Sequence, residues 1–254
     1  MSTSTPEREA LQQRSALVVG VGGLGCPAAL ALVESGVGRL ILADDDVIDA
    51  TNLPRQILYR DADVGRDTAC VARERLLEAG ATDVVVTGSR LLPENARELV
   101  ERADVVVEGS DNFATKFLTA DACHLGGRPV VHGAGIRLHG TALSVGTHGA
   151  PCYRCLFEDV PLGAQPNCAS AGVLGPVVGL LGALMADLAL DLLLADESRA
   201  AQLHSYDARR DELRRISLHA RHDCPLCGPD ATILDLDEAR YYEPTCAARS
   251  RLVH

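Results

Sequence analysis

The sequence predicts an α/β fold: a mostly parallel sheet with helices on both faces, continued by antiparallel strands. Three observations carry this. Short Val- and Ile-rich runs recur through the first half of the chain, at 16–20, 39–44, 83–88, 104–109 and 128–133. Helical stretches separate them, and continuous apolar runs with helices between imply strands covered on both faces. From 136 to 146, "IRLHGTALSVG" alternates as a half-exposed antiparallel strand does.

The elements follow in order. "ALVVG" (16–20) is a buried strand, and "GLGCPAALALVESG" a helix ended by Gly36. "RLILAD" (39–44) is the second strand. "DVGRDTACVARERLLEAG" contains a helix with Gly80 as its stop. After the strand "DVVVTG" (83–88), "PENARELVER" opens a helix with Pro93, a residue suited to the first turn. "DVVVEG" (104–109), a helix over "NFATKFLTADACHLG" and "RPVVHG" (128–133) complete the parallel part. Cys26, Cys70 and Cys123 fall on these helices and are expected in packing. The second half holds a CxxC pair, a loop at 156–172, an apolar helix at 172–190, a hairpin-like pair of strands within 201–221 and a second CxxC. The expected organisation is one unit over 1–228, with halves at 11–135 and 136–228, and a tail at 229–254.

With 254 residues, 47% of them hydrophobic, the chain can bury a sizeable core. A net charge of −11 and a single lysine, Lys116, argue against nucleic acid as a partner. The start "MSTSTPEREALQQR" has no apolar core of signal-peptide length, so a cytoplasmic location is expected. Nine cysteines, an odd number, fit reduced thiols there. The apolar run Val173–Ala186 has 14 residues, short of the roughly 18–20 that cross a bilayer. A core or subunit-interface helix is expected, and no membrane.

"VVGVGGLGCP" (18–27) carries Gly20, Gly22, Gly23 and Gly25 between strand and helix. Without Cβ atoms the backbone turns sharply, and a phosphate can approach the helix N-terminus. Asp44 lies 19 residues beyond Gly25, at the end of the next strand, where a ribose-binding acid belongs. A tight strand–helix turn without ligand is the alternative. "DDDVIDATNLPRQ" (44–56) adds Asp46, Asn52, Arg55 and Gln56, a set suited to a polyphosphate and its magnesium. A dehydrogenase does not need it. Taken alone, such a stretch is also what a solvated polar loop looks like.

Asp111 and Asn112 directly follow a strand. A carboxylate there can hold Mg²⁺ or position a reacting group, and either residue can instead cap the next helix. Cys152, Cys155, Cys224 and Cys227 offer four thiolates, the set of a structural zinc site, with 68 residues between the pairs. Two coincidental pairs are the alternative. Cys168, in the loop before the apolar helix, is either a nucleophile with a lowered pKa or a passive thiol.

Taken together, "GVGGLG", "DDDVIDATNLPRQ", "DVG", "SDNFATK", "CYRC", "AGVLGPVVG" and "CPLCG" resemble the MoeB/ThiF family, relatives of ubiquitin-activating enzymes. The match runs in order from about Leu11 to Gly228. The resemblance implies a Rossmann-like fold with a zinc-knuckle C-terminal part, in a cytoplasmic homodimer. It implies an enzyme that uses Mg-ATP to adenylate the C-terminal glycine of a ubiquitin-like sulfur carrier of MoaD or ThiS type. By position, Gly22 and Gly23 lie against the nucleotide, Asp44 holds the ribose, and Asn52 and Arg55 contact phosphates. Asp111 with Asn112 supports Mg²⁺ and the reaction, and the four CxxC cysteines hold Zn²⁺. Cys168 matches a crossover-loop cysteine that some members use in sulfur handling. The tail resembles the linker to a rhodanese domain, so a separate sulfur donor, a rhodanese or a cysteine desulfurase, is expected.

Two departures stand out. Thr68 occupies the position of a family lysine at the phosphates, with Arg66 a candidate substitute, and the family's N-terminal arginine segment is missing. These open a second reading, a noncatalytic member that binds a carrier or pairs with an active homologue. A relative acting on another carboxylate or peptide is a third.

Overall fold

The computed structural model describes residues 4–161 and 171–241. Eight strands form one sheet: β1 (Ser15–Val19), β2 (Arg39–Ala43), β3 (Asp83–Val86), β4 (Val105–Glu108), β5 (Val130–Ile136), β6 (His139–Val145), β7 (Gln202–Asp207) and β8 (Glu212–Ser217). Their order is β3-β2-β1-β4-β5-β6-β7-β8. The first five run parallel, and β5 through β8 pair antiparallel. The architecture expected from the Val/Ile runs is therefore present.

The helices are α1 (Thr5–Leu11), α2 (Gly25–Ser35), α3 (Thr68–Glu78), α4 (Pro93–Glu101), α5 (Phe113–Leu125), the short α6 (Tyr153–Leu156) and α7 (Gly175–Leu193). Gly36 ends α2 at φ 95°, a left-handed conformation that favours glycine. Asp67 caps α3 by accepting from the Cys70 N–H at 2.7 Å.

The sheet separates two apolar clusters. Leu32 of α2, Leu76 of α3 and Leu181 of α7 pack on one face, and Leu99 of α4, Phe117 of α5 and Tyr153 of α6 on the other. By length and composition α7 could cross a membrane. Its Val177, Leu181, Met185 and Leu188 are instead buried, and the helix lies against β4, β5, β6 and α2. Cys26 and Cys123 are buried as expected, whereas Cys70 is exposed, because it lies on the solvent face of α3. Residues from 229 to Tyr241 do not hang free: Ile233 packs at the cysteines and Tyr241 in the second cluster. Cys168 and Cys246 lie outside the described residues.

Strand order fixes where a ligand can sit. β1 has β2 on one side and β4 on the other, so successive connections leave β1 in opposite directions. A crevice opens at such a switch point beyond the strand ends.

Candidate nucleotide site and cysteine centre

A cavity of about 590 Å³ occupies that crevice. Two glycines shape its floor. Gly20 sits at φ +80°, and an added Cβ would meet the Ser110 backbone at 3.1 Å. A Cβ on Gly25 would lie 1.9 Å from the Gly20 carbonyl oxygen, so no other residue fits there. This lets the turn press against the loop after β4 while α2 starts at once. Leu24, at the N-cap, gives α2 no side-chain cap; the Cys26 N–H donates to the Gly22 carbonyl at 2.9 Å and Pro27 has no N–H, so it is the glycine turn before the helix that faces the cavity. Gly22 and Gly23 line the cavity beside Gln56 and Arg55.

Asp44 is buried at the end of β2. Its carboxylate accepts from the Val21 N–H at 2.6 Å and the Asp46 N–H at 2.9 Å. Burial nevertheless lifts its pKa to about 6; the two N–H bonds oppose the rise, and the Asp46 and Asp45 charges add to it. Asp46, also on the cavity wall, is raised by burial and then by the charges of Asp45 and Asp111. Arg55 donates to the Asn52 side-chain oxygen and to the Thr51 carbonyl at 3.1 Å, which folds the guanidinium over the 3-10 turn at 50–52.

The structure separates the pair after β4. Asn112 caps α5, accepting from the Thr115 N–H at 2.8 Å, while Asp111 stands exposed on the cavity wall. Thr68 is placed differently from its cavity partners. It is buried in the first turn of α3, donates its N–H to the Asp46 carbonyl at 3.0 Å, and does not line the cavity. Arg66 pairs with Asp63 at 3.1 Å and Glu74 at 2.7 Å, on the outside of that turn. It therefore cannot stand in for a lysine at position 68 without giving up both partners.

Below Asp111 lies a group that sequence reasoning missed. Glu108 is fully buried at the end of β4. It accepts from Lys116 Nζ at 2.8 Å and from the Ser110 N–H at 2.8 Å, and His132 Nδ1 stands 3.4 Å away. Burial would raise the Glu108 pKa, but Lys116 and His132 outweigh it and hold it low. Lys116 also donates to the Gly133 carbonyl at 2.5 Å, so its ammonium joins β4, β5 and α5 and two of its three N–H groups are engaged. The available signal was an acid ending a valine run eight residues before the chain's single lysine.

The four CxxC sulfurs meet at the far end of β6 and α6. Cys152 lies 3.5 Å from Cys224 and 3.9 Å from Cys155, and Cys155 lies 3.4 Å from Cys227. All four lie within 4.8 Å of one another. A tetrahedral zinc with Zn–S bonds of about 2.3 Å spaces its sulfurs about 3.8 Å apart, so the set fits such an ion.

A glycine turn, a buried acid ending β2 and an arginine share one cavity at the switch point, an arrangement typical of nucleotide-binding α/β proteins, with a separate four-cysteine centre. The chain belongs to the ThiF family, whose profile matches residues 2–226. It is 40% identical over 250 residues to the sulfur carrier protein adenylyltransferase of Thermus thermophilus, covering 95% of this chain and 91% of that protein. It is also 40% identical to the adenylyltransferase and sulfurtransferase MOCS3 of Sus scrofa, covering 94% of this chain. The chain spans about half the length of that relative, 52%. Among solved structures, E. coli MccB with MccA-N7isoASN has the same fold, with a TM-score of 0.74 at 20% identity over 87% of this chain and 69% of that one.

Proposed function

We propose that the chain is an ATP-dependent adenylyltransferase that activates the C-terminal glycine of a ubiquitin-like sulfur carrier of MoaD or ThiS type. The observation that carries this is one cavity holding the uncapped α2 turn, Asp44, Arg55 and Asp111 in a chain 40% identical to a sulfur carrier adenylyltransferase over nearly its whole length. The carrier carboxylate attacks the α-phosphorus of ATP, an acyl–phosphate bond forms, and the bond to the leaving pyrophosphate breaks. Such chemistry is positioning plus charge neutralisation. Asp44 accepts from the ribose hydroxyls, and the glycine turn at Gly22 and Gly23 and the Arg55 guanidinium face phosphate oxygens.

Asp46 and Asp111 stand close enough that the charge of one raises the other, a donor set that fits a magnesium ion. That ion, when bound, neutralises phosphate charge. Zinc at the four cysteines supplies structure, tying α6 to the C-terminal segment. The exposed apolar Ile57, Leu174 and Leu180 support a homodimer. A rhodanese or a cysteine desulfurase supplies the sulfur, and the whole operates in the cytoplasm.

ATP–pyrophosphate exchange with MoaD-like and ThiS-like carriers tests this. Exchange that depends on a carrier and falls about 10²–10³-fold in Asp111→Ala is the expected result. The buried Thr68 and the occupied Arg66 favour one second reading, a noncatalytic family member. No exchange with any carrier, restored by Thr68→Lys, selects it.

A further inference from the structure

Three cations among the described residues line the cavity: Arg55, Arg90 and Lys116. Lys116 is tied to Glu108 and the Gly133 carbonyl, and Arg55 is folded onto Asn52 beside the glycine turn. Arg90 is held differently. It comes from the loop between β3 and α4, and its Nε stands 3.7 Å from the Asp45 carboxylate, beyond hydrogen-bond distance. Its side chain is 62% exposed and that of Asp45 47%. An ion pair this open is worth little, so the guanidinium can turn toward a ligand at small cost.

The order of the strands says which part of a nucleotide it meets. Phosphates belong at the glycine turn, at the end of β1. The ribose belongs at Asp44, at the end of β2. The next strand outward is β3, and the loop that follows it brings Arg90 and Leu91 to the cavity wall. Leu91 is 2% exposed and packed in the core, so it backs the cavity wall beside Arg90 as a fixed apolar support. A purine extending past the ribose meets this wall. A guanidinium stacks on an aromatic face.

We infer that Arg90 is a base-positioning residue, its guanidinium stacking on the purine of the nucleotide beside the wall that Leu91 supports, with Asp45 as its resting partner. The inference rests on the proposed ATP site and adds to it a specificity element for the base. It also gives the two arginines different roles. Arg55 serves phosphates and Arg90 the base, so Arg90 does not replace the cation absent at Thr68.

Equilibrium dialysis with labelled ATP tests the assignment in the wild type and Arg90→Ala, with unlabelled adenosine and pyrophosphate as competitors. Arg90 is exposed, so the variant folds, and far-UV circular dichroism verifies it. The expected result is ATP retention weakened about 3- to 30-fold, adenosine competition weakened by the same factor, and pyrophosphate competition unchanged. Adenosine competing equally well against both proteins overturns the assignment. So does a loss confined to pyrophosphate, which makes Arg90 a phosphate ligand. Labelled ATP retained equally by both proteins overturns it while leaving the ATP site standing. A wild type that retains no ATP removes the site and the assignment together.

Discussion

Arg154 and Asp121 form a buried two-point pair, Nε to Oδ1 at 2.7 Å and Nη2 to Oδ2 at 2.8 Å. Arg154 belongs to the first cysteine knuckle and Asp121 to α5, whose N-terminus carries the Asp111 loop. The Tyr241 hydroxyl donates to the same Asp121 oxygen at 2.8 Å. One carboxylate thus ties the cysteine centre, the C-terminal segment and the helix behind the nucleotide site. Both side chains of the pair are nearly inaccessible, so Asp121→Ala leaves the buried guanidinium with only the Glu158 carbonyl at 3.2 Å and the exposed Asp159 at 3.5 Å. A loss of about 3–5 kcal/mol in urea unfolding is expected. Tyr241→Phe, which removes one hydrogen bond to a charged group, is expected to cost about 1.5–3 kcal/mol.

With Asp44 in the proposed ribose-binding role, nucleotide binding is expected to depend on pH. Its carboxyl titrates at about 6, and only the ionised form offers all its lone pairs to ribose hydroxyls. As pH falls from 7 through 6 the site fills with the protonated form, and the dissociation constant for ATP rises. In Asp44→Asn that step disappears, and binding at pH 7.5 is about 10- to 100-fold weaker. Calorimetric titration with ATP at several pH values checks both.

His204 sits fully buried on β7, and neither ring nitrogen has a hydrogen-bond partner among the described residues. Burial, then the charges of Arg215 and Arg199, push its pKa below the usual 6.5. The unfolded chain therefore binds a proton near 6.5 that the folded chain refuses. Its contribution to stability is lost progressively as pH falls from 6.5 toward the folded pKa. His204→Leu removes the unsatisfied nitrogens; a gain of about 1–3 kcal/mol at neutral pH and a flatter loss on acidification are expected in denaturant melts.

Metal content checks the cysteine centre. About one zinc per chain is expected by atomic emission, with loss on Cys224→Ser and a lower melting temperature, because metal binding there is coupled to folding. A wild type free of metal and equally stable excludes the centre.

Much of the fold was legible because its signals are local. Val/Ile runs separated by helical stretches name the strands, and Gly36, Pro93 and Gly80 punctuate the helices within a turn of where they act. The glycine turn and Asp44 were legible for the same reason: strand, turn, helix and strand follow one another directly. Glu108, Lys116 and His132 were not, since three polar residues inside apolar elements carry no mark of their partners. Arg66 shows the converse. Its nearness to Thr68 in sequence suggested the cavity, but the turn before α3 points it outward to Asp63 and Glu74.

By itself the sequence determined the parallel half-sheet, the glycine turn, the acid that ends β2 and the paired cysteines, all consequences of spacing within one or two elements. Tertiary structure alone decided that cysteine pairs 68 residues apart share one centre. It also decided that Asn112 caps while Asp111 faces the cavity, that Thr68 is buried out of the cavity wall, and that Arg90 arrives beside Asp45. The reason is that a side chain's neighbours across a sheet are set by strand order and register, and these are settled by packing of the whole chain.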